Sequence, residues 1–166
     1  TNSMFTAINA TGNAVFLSGQ NAFPYQVSPW GAMLFAPVQA GQVFGSTTAA
    51  QTLSSLLRTG NGNVLAADYA RFNARSLQYG PFVNSALAGV TLNTSFGTGN
   101  PLADQLRTVA RMIAVRSSLG VTRQVFLVSL GGFDNHDGLI GTHDALLGQV
   151  DFAMDAFYKA TVELGV

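Results

Sequence analysis

The sequence predicts an α/β fold: part of a doubly wound, mainly parallel sheet covered by helices. Three observations carry that expectation. Gln124–Leu130 holds a continuous apolar run without alternation, the pattern of a strand covered on both faces. A helical repeat precedes it at Leu102, Leu106, Val109, Ala110 and Ile113. A second follows at Leu146, Val150, Ala153, Phe157, Ala160 and Leu164. Helix, buried strand, glycine-rich loop and helix make half of a doubly wound layout.

Taken in chain order, Met4–Ala10 and Asn13–Ser18 read as short β segments joined by the turn Thr11–Gly12–Asn13. Gln20–Ala50 is rich in Gly, Pro and aromatics. It reads as extended loop with one or two short strands, because Pro24, Pro29 and Pro37 deny helix. Thr47–Arg58 reads as a short helix ended by Thr59–Gly60–Asn61–Gly62. Asn63 caps a further helix from about Val64 to Leu77, which resumes after Tyr79–Gly80–Pro81. Gly89–Asn100 is a loop. Pro101 opens a helix to about Ser118, stopped by Gly120, and the last helix runs from about Thr142 to Leu164 with Asp155 and Lys159 paired on its wet side.

The 166 residues are treated as a single partial domain: a β/loop-rich region over 1–50 and a helical region over 51–166 around the central buried strand at 124–130. A sheet of this kind needs more strands than the chain obviously supplies, so the domain is expected to be incomplete in isolation.

Charge is scarce and uneven. Eight basic residues balance eight acidic ones, and Thr1 to Leu57 contains neither kind. All the acids but Asp68 lie from Asp104 onward. This neutrality gives no electrostatic footprint for nucleic acid or anionic lipid. No run approaches the roughly 18 apolar residues of a transmembrane segment. The uncharged stretch fits either packing against a further part of a parent chain or a partner subunit, or a low-charge exported protein. Without cysteine there is no disulfide, thiolate metal site or thiol nucleophile, and no targeting peptide is visible at Thr1.

Chemistry concentrates in Gly131–Gly132–Phe133–Asp134–Asn135–His136–Asp137–Gly138, beyond the carboxyl end of the strand, where open α/β sheets gather their ligands. The two glycines permit a sharp turn and close approach. Asp134 and His136, two apart, project from one side of an extended segment, a pairing suited to a divalent ion such as zinc, calcium, magnesium or manganese. The same pair can instead orient a histidine base, or the polar residues can simply bond the loop's own backbone and cap the next helix. Asn135 lies between them, Asp137–Gly138 reads as a plain turn, and His143 as a helix-end residue within reach of a supporting role. Arg107 and Arg111 share a helical face and read first as solvated arginines. Ser129 lacks the Gly-x-Ser-x-Gly setting of an activated nucleophile, and no glycine run is a phosphate loop.

The segment Arg123–His136 resembles the signature of the bacterial family known as domain of unknown function 1501: a buried strand ending in Gly-Gly-Phe-Asp-Thr-His between two helices. Asn135 stands where that family has Thr. Leu102–Ala114, Ala156–Val166 and Phe5–Gly19 are similar to it as well, whereas the likeness between Pro29 and Gly99 is thin. The family resembles the alkaline phosphatase and sulfatase superfamily, whose two-metal sites combine loops from several strand ends. The resemblance implies that Asp134 and His136 are metal ligands, with Gly131, Gly132, Asn135, Asp137 and His143 in support. It implies an exported, periplasmic, metal-dependent hydrolase-like parent acting on a phosphate or sulfate ester. The family's upstream Gly-Gly-Asn-Asp and downstream Asp-His-Gly segments do not occur here, so the remaining ligands are expected from the rest of a parent chain or a partner subunit. The alternative expectation is a non-catalytic exported structural or assembly protein that keeps the fold.

Overall fold

A computed structural model describes residues 3–12, 15–17, 24–32, 34–60 and 62–166. Two compact units emerge: Thr1–Gly31 together with Ala86–Val166, and Ala32–Ser85. The fold is α/β, with a four-stranded mixed sheet, mostly parallel, and helices packed over it.

The strands are β1 (Ala7–Asn9), β2 (Tyr25–Ser28), β3 (Gly31–Ala32) and β4 (Val125–Leu127), in the order β3-β2-β1-β4. β1 runs parallel to both neighbours, with Ile8 opposite Tyr25 and Phe126. Ile8, Tyr25 and Val27 are buried on one face of the sheet, where the rings of Phe5 and Tyr25 meet edge to face at 5.1 Å. Burial pushes the Tyr25 hydroxyl up to about 12.

The first unit also holds α4 (Pro101–Ala114) and α5 (Leu139–Leu164). Asn100 caps α4: its Oδ1 accepts from the N–H groups of Leu102 (3.1 Å) and Ala103 (3.2 Å), and its Nδ2 donates to the Gln149 carbonyl of α5 (2.8 Å). Leu102, Leu106 and Ala110 then pack with Phe96 against Ala153, Ala156 and Ala160. The small residues of α5 let the two helices approach closely, and Val128, Leu130, Val150, Phe157 and Leu164 seal the margin. The Arg111 guanidinium donates to the Leu87 carbonyl (2.7 Å), so this arginine serves the end of a helix rather than a solvated face.

The second unit contains α1 (Ala36–Gln39), α2 (Thr47–Arg58) and most of α3 (Val64–Ala88). Ser46 caps α2 by accepting from the Ala49 N–H (3.2 Å), and Asn63 accepts from the Leu65 N–H (2.9 Å) at the start of α3. Asn84 clasps Ala32, accepting from its N–H (2.8 Å) and donating to its carbonyl (3.1 Å).

Several expectations need correction. Met4–Ala10 contains a strand only at Ala7–Asn9, behind a 3-10 turn at Ser3–Phe5. Of Asn13–Ser18, Val15–Leu17 form a 3-10 turn, while Asn13, Ala14 and Ser18 lie outside the described residues. Short apolar runs do not distinguish these states. Pro37 stands in the first turn of α1, where its missing N–H has no intrahelical partner to lose. Pro81 lies inside a continuous α3 instead of dividing it, with Leu77, Val83 and Leu87 buried on either side of it. The segment Gln124–Leu130 is strand only over Val125–Leu127. It lies at the edge of the sheet, and Val125 is 61% exposed, so it is not covered on both faces. Its Val128 and Leu130 do pack on the α4–α5 core. No helix among the described residues is long and apolar enough to cross a membrane.

Candidate metal site

The last rung between β1 and β4 is the bond from the Ala10 N–H to the Leu127 carbonyl (3.0 Å). Two residues on, the alternation of a parallel ladder turns the Ser129 groups the same way, but β1 has ended. The buried Gln105 of α4 takes its place. Its Nε2 donates to the Ser129 carbonyl (2.9 Å) and its Oε1 accepts from the Ser129 N–H (2.9 Å). A helix side chain therefore supplies the rung that aims the chain leaving β4. Nothing in the sequence pattern marked Gln105 beyond a polar residue on an otherwise apolar helix face.

The chain then turns at Gly132, whose φ of +95° lies where side chains are strained, and where an added Cβ would meet Leu146 at 3.4 Å. Asn135 folds back to donate from Nδ2 to the Gly132 carbonyl (2.9 Å). His143, one turn into α5, donates from Nε2 to the Phe133 carbonyl (3.3 Å) in the tautomer with its proton there, and its ring meets Phe133 edge to face at 5.7 Å. Gly138 (φ +67°) occupies the cap position of α5 and accepts from the Thr142 hydroxyl (3.0 Å). Gly132, Asn135 and His143 thus shape the loop, while Gly131 and Asp137 are exposed.

At the tip, His136 Nε2 and Asp134 Oδ1 are 3.8 Å apart, with side chains 92% and 96% exposed. Both side chains lie in water. Among the described residues no group of three or more His, Cys, Asp or Glu side chains is gathered that could hold a metal ion. A catalytic zinc ordinarily has three protein ligands, so this pair supplies two donors and leaves the others to be found elsewhere.

Asn9 ends β1 at the same edge of the sheet, opposite Leu127. It is fully buried, its Oδ1 accepts from the Thr11 N–H (2.9 Å) and hydroxyl (3.1 Å), and its Nδ2 has no partner among the described residues. Its sequence signal was only that of a turn former before Thr11–Gly12. The other arginine of the α4 face, Arg107, lies 3.5 Å from Asp104 in a half-exposed pair.

Comparisons with protein-family models, curated proteins and solved structures find no match to this chain.

Proposed function

We propose that Asp134 and His136 are two ligands of a divalent metal site in an exported hydrolase-like protein acting on a phosphate or sulfate ester. The carrying observation is the 3.8 Å approach of carboxylate and imidazole on a loop beyond the end of a parallel strand. The resemblance of Arg123–His136 to a family of alkaline phosphatase and sulfatase character supports the ester chemistry and the periplasmic setting. Asp134 brings the negative charge that a cation requires, and His136 a nitrogen donor. His143 and Gln105 hold the two ends of the loop so that the pair is presented together. A bound divalent ion would supply Lewis acidity toward the ester and its leaving oxygen. Further donors come from the remainder of the parent chain or a partner subunit.

Elemental analysis of the protein purified from its source, beside the Asp134→Ala/His136→Ala double variant, tests the site. The wild type should carry metal that the variant lacks; equal metal content ends the proposal. Hydrolysis of p-nitrophenyl phosphate and sulfate by the same pair tests the reaction, and activity that survives in the double variant removes the assigned roles.

A second reading, a non-catalytic exported assembly protein, is favoured by the apolar side chains left open in the uncharged segment. Phe16, Trp30 and Phe44 are all exposed there, the composition of a contact surface more than of a solvated one.

A further inference from the structure

The turn Asp137–Gly138 differs from the setting of every other aspartate in the chain. Asp68, Asp104, Asp144, Asp151 and Asp155 lie inside α3, α4 and α5, where the main-chain N–H that follows each is held by the carbonyl one turn back. Asp134 is followed by Asn135, whose side chain folds onto the Gly132 carbonyl (2.9 Å). Asp137 alone precedes a glycine. The fold requires that glycine, because φ +67° at the cap of α5 is a left-handed angle that strains other residues. The same missing side chain leaves the Gly138 nitrogen unshielded. Both residues are exposed. Among the described residues no hydrogen bond takes the Gly138 N–H, and no hydrogen bond or ion pair takes the Asp137 carboxylate. The Gly138 carbonyl, by contrast, accepts from the Thr142 N–H (3.1 Å) and hydroxyl (3.0 Å). The fold fixes the far side of Gly138 and leaves the bond before it free.

We infer that Asp137 is a modification site, where the chain isomerises spontaneously to isoaspartate. The Gly138 nitrogen attacks Cγ of Asp137 and closes a succinimide ring. A Cγ–O bond breaks as the N–Cγ bond forms, and the oxygen leaves as water with the amide hydrogen and one solvent proton. A second water then opens the ring. Attack at Cγ restores aspartate. Attack at the main-chain carbonyl leaves the chain running through Cγ, with a free α-carboxylate. Mass and charge return to their starting values, but the main chain is one carbon longer, directly after His136 and directly before α5. The tip bearing Asp134 and His136 then loses the turn that joins it to the helix. The inference is independent of the metal reading.

Ageing the folded chain, its Asp137→Glu variant and a synthetic peptide spanning Phe133 to Thr142 at neutral pH and body temperature for several weeks tests this. Trypsin releases Gln124–Lys159 from the chain, and an endoproteinase that cuts before aspartate but not before isoaspartate maps the change. Aged wild type should lose the cut before residue 137 in part of this peptide, at unchanged mass. That fraction should accept a methyl group from an isoaspartyl methyltransferase. The cuts before Asp144, Asp151 and Asp155 should stay complete. Because the fold does not hold the turn, the folded chain should react within about threefold of the synthetic peptide's rate, without the protection that structured segments enjoy. Asp137→Glu, whose ring would be larger and slower to close, should abolish methyl acceptance by Gln124–Lys159. A folded chain that keeps Asp137 intact while the synthetic peptide isomerises overturns the inference. So does methyl acceptance that persists in Asp137→Glu, or loss of the helical cuts at the same rate as the cut before Asp137.

Discussion

Two loops of the first unit both bond to α5, and they are held in opposite ways. The loop before α4 is stitched along its length. Glu163 accepts from the N–H of Asn93 (2.7 Å) and its Nδ2 (3.1 Å), and from the N–H of Thr94 (2.8 Å) and its hydroxyl (2.6 Å). Asn100 then fixes its far end. Among the described residues, the loop after β4 is tied to the helices at its base, by Gln105 on Ser129 and by His143 on Phe133, and to itself by the Asn135 amide on the Gly132 carbonyl. Its tip, with Asp134 and His136, is open to water. The first loop builds the structure, and the second has polar groups that the fold itself does not use.

That contrast can be broken at its strongest point first. Gln105→Leu strands both main-chain groups of Ser129 and should cost about 2–3 kcal/mol in urea unfolding. Asn100→Ala removes a helix cap and the tie to Gln149, and should cost about 1–2 kcal/mol. Glu163→Gln sharpens the comparison through pH. The Thr94 hydroxyl, then the Asn93 and Thr94 N–H groups, hold the Glu163 carboxyl below its ordinary 4.5. Its contribution is therefore complete above that value and fades as the pH falls through the lower folded one. The gap in urea midpoint between wild type and Glu163→Gln should close in acid, and a gap unchanged across that window would contradict the assignment. The smallest effect belongs to Asp134→Ala/His136→Ala, whose exposed side chains should alter stability by no more than about 0.5 kcal/mol. A large loss there would mean that the fold, not a ligand, uses this pair.

Elements with local signals were legible in the sequence. Thr47–Arg58 is helical over the expected residues, Pro101 opens α4, and Asn63 bonds the first turn of α3. The repeat through Ala153 and Ala160 marks the buried side of α5. What depended on distant partners was not legible. Pro81 predicts a break only when the turn around it stands alone, and here buried residues flank it on both sides. The apolar run at Val125 asked for a second covering layer, and the described residues bring none to that side chain. In the site, the spacing of Asp134 and His136 foretold that they would meet. Gln105 was invisible because its role depends on β1 ending two residues short of the position opposite Ser129, a fact of topology rather than pattern.

The amide of Gln105 has one more consequence, for portability. The direction in which the loop leaves the sheet is set by a helix more than twenty positions earlier in the chain, not by the strand that carries it. Grafting β4 and its loop onto another parallel sheet would transfer the donor atoms and lose their aim. A transplant that works must carry α4 with it, in the same rotational phase.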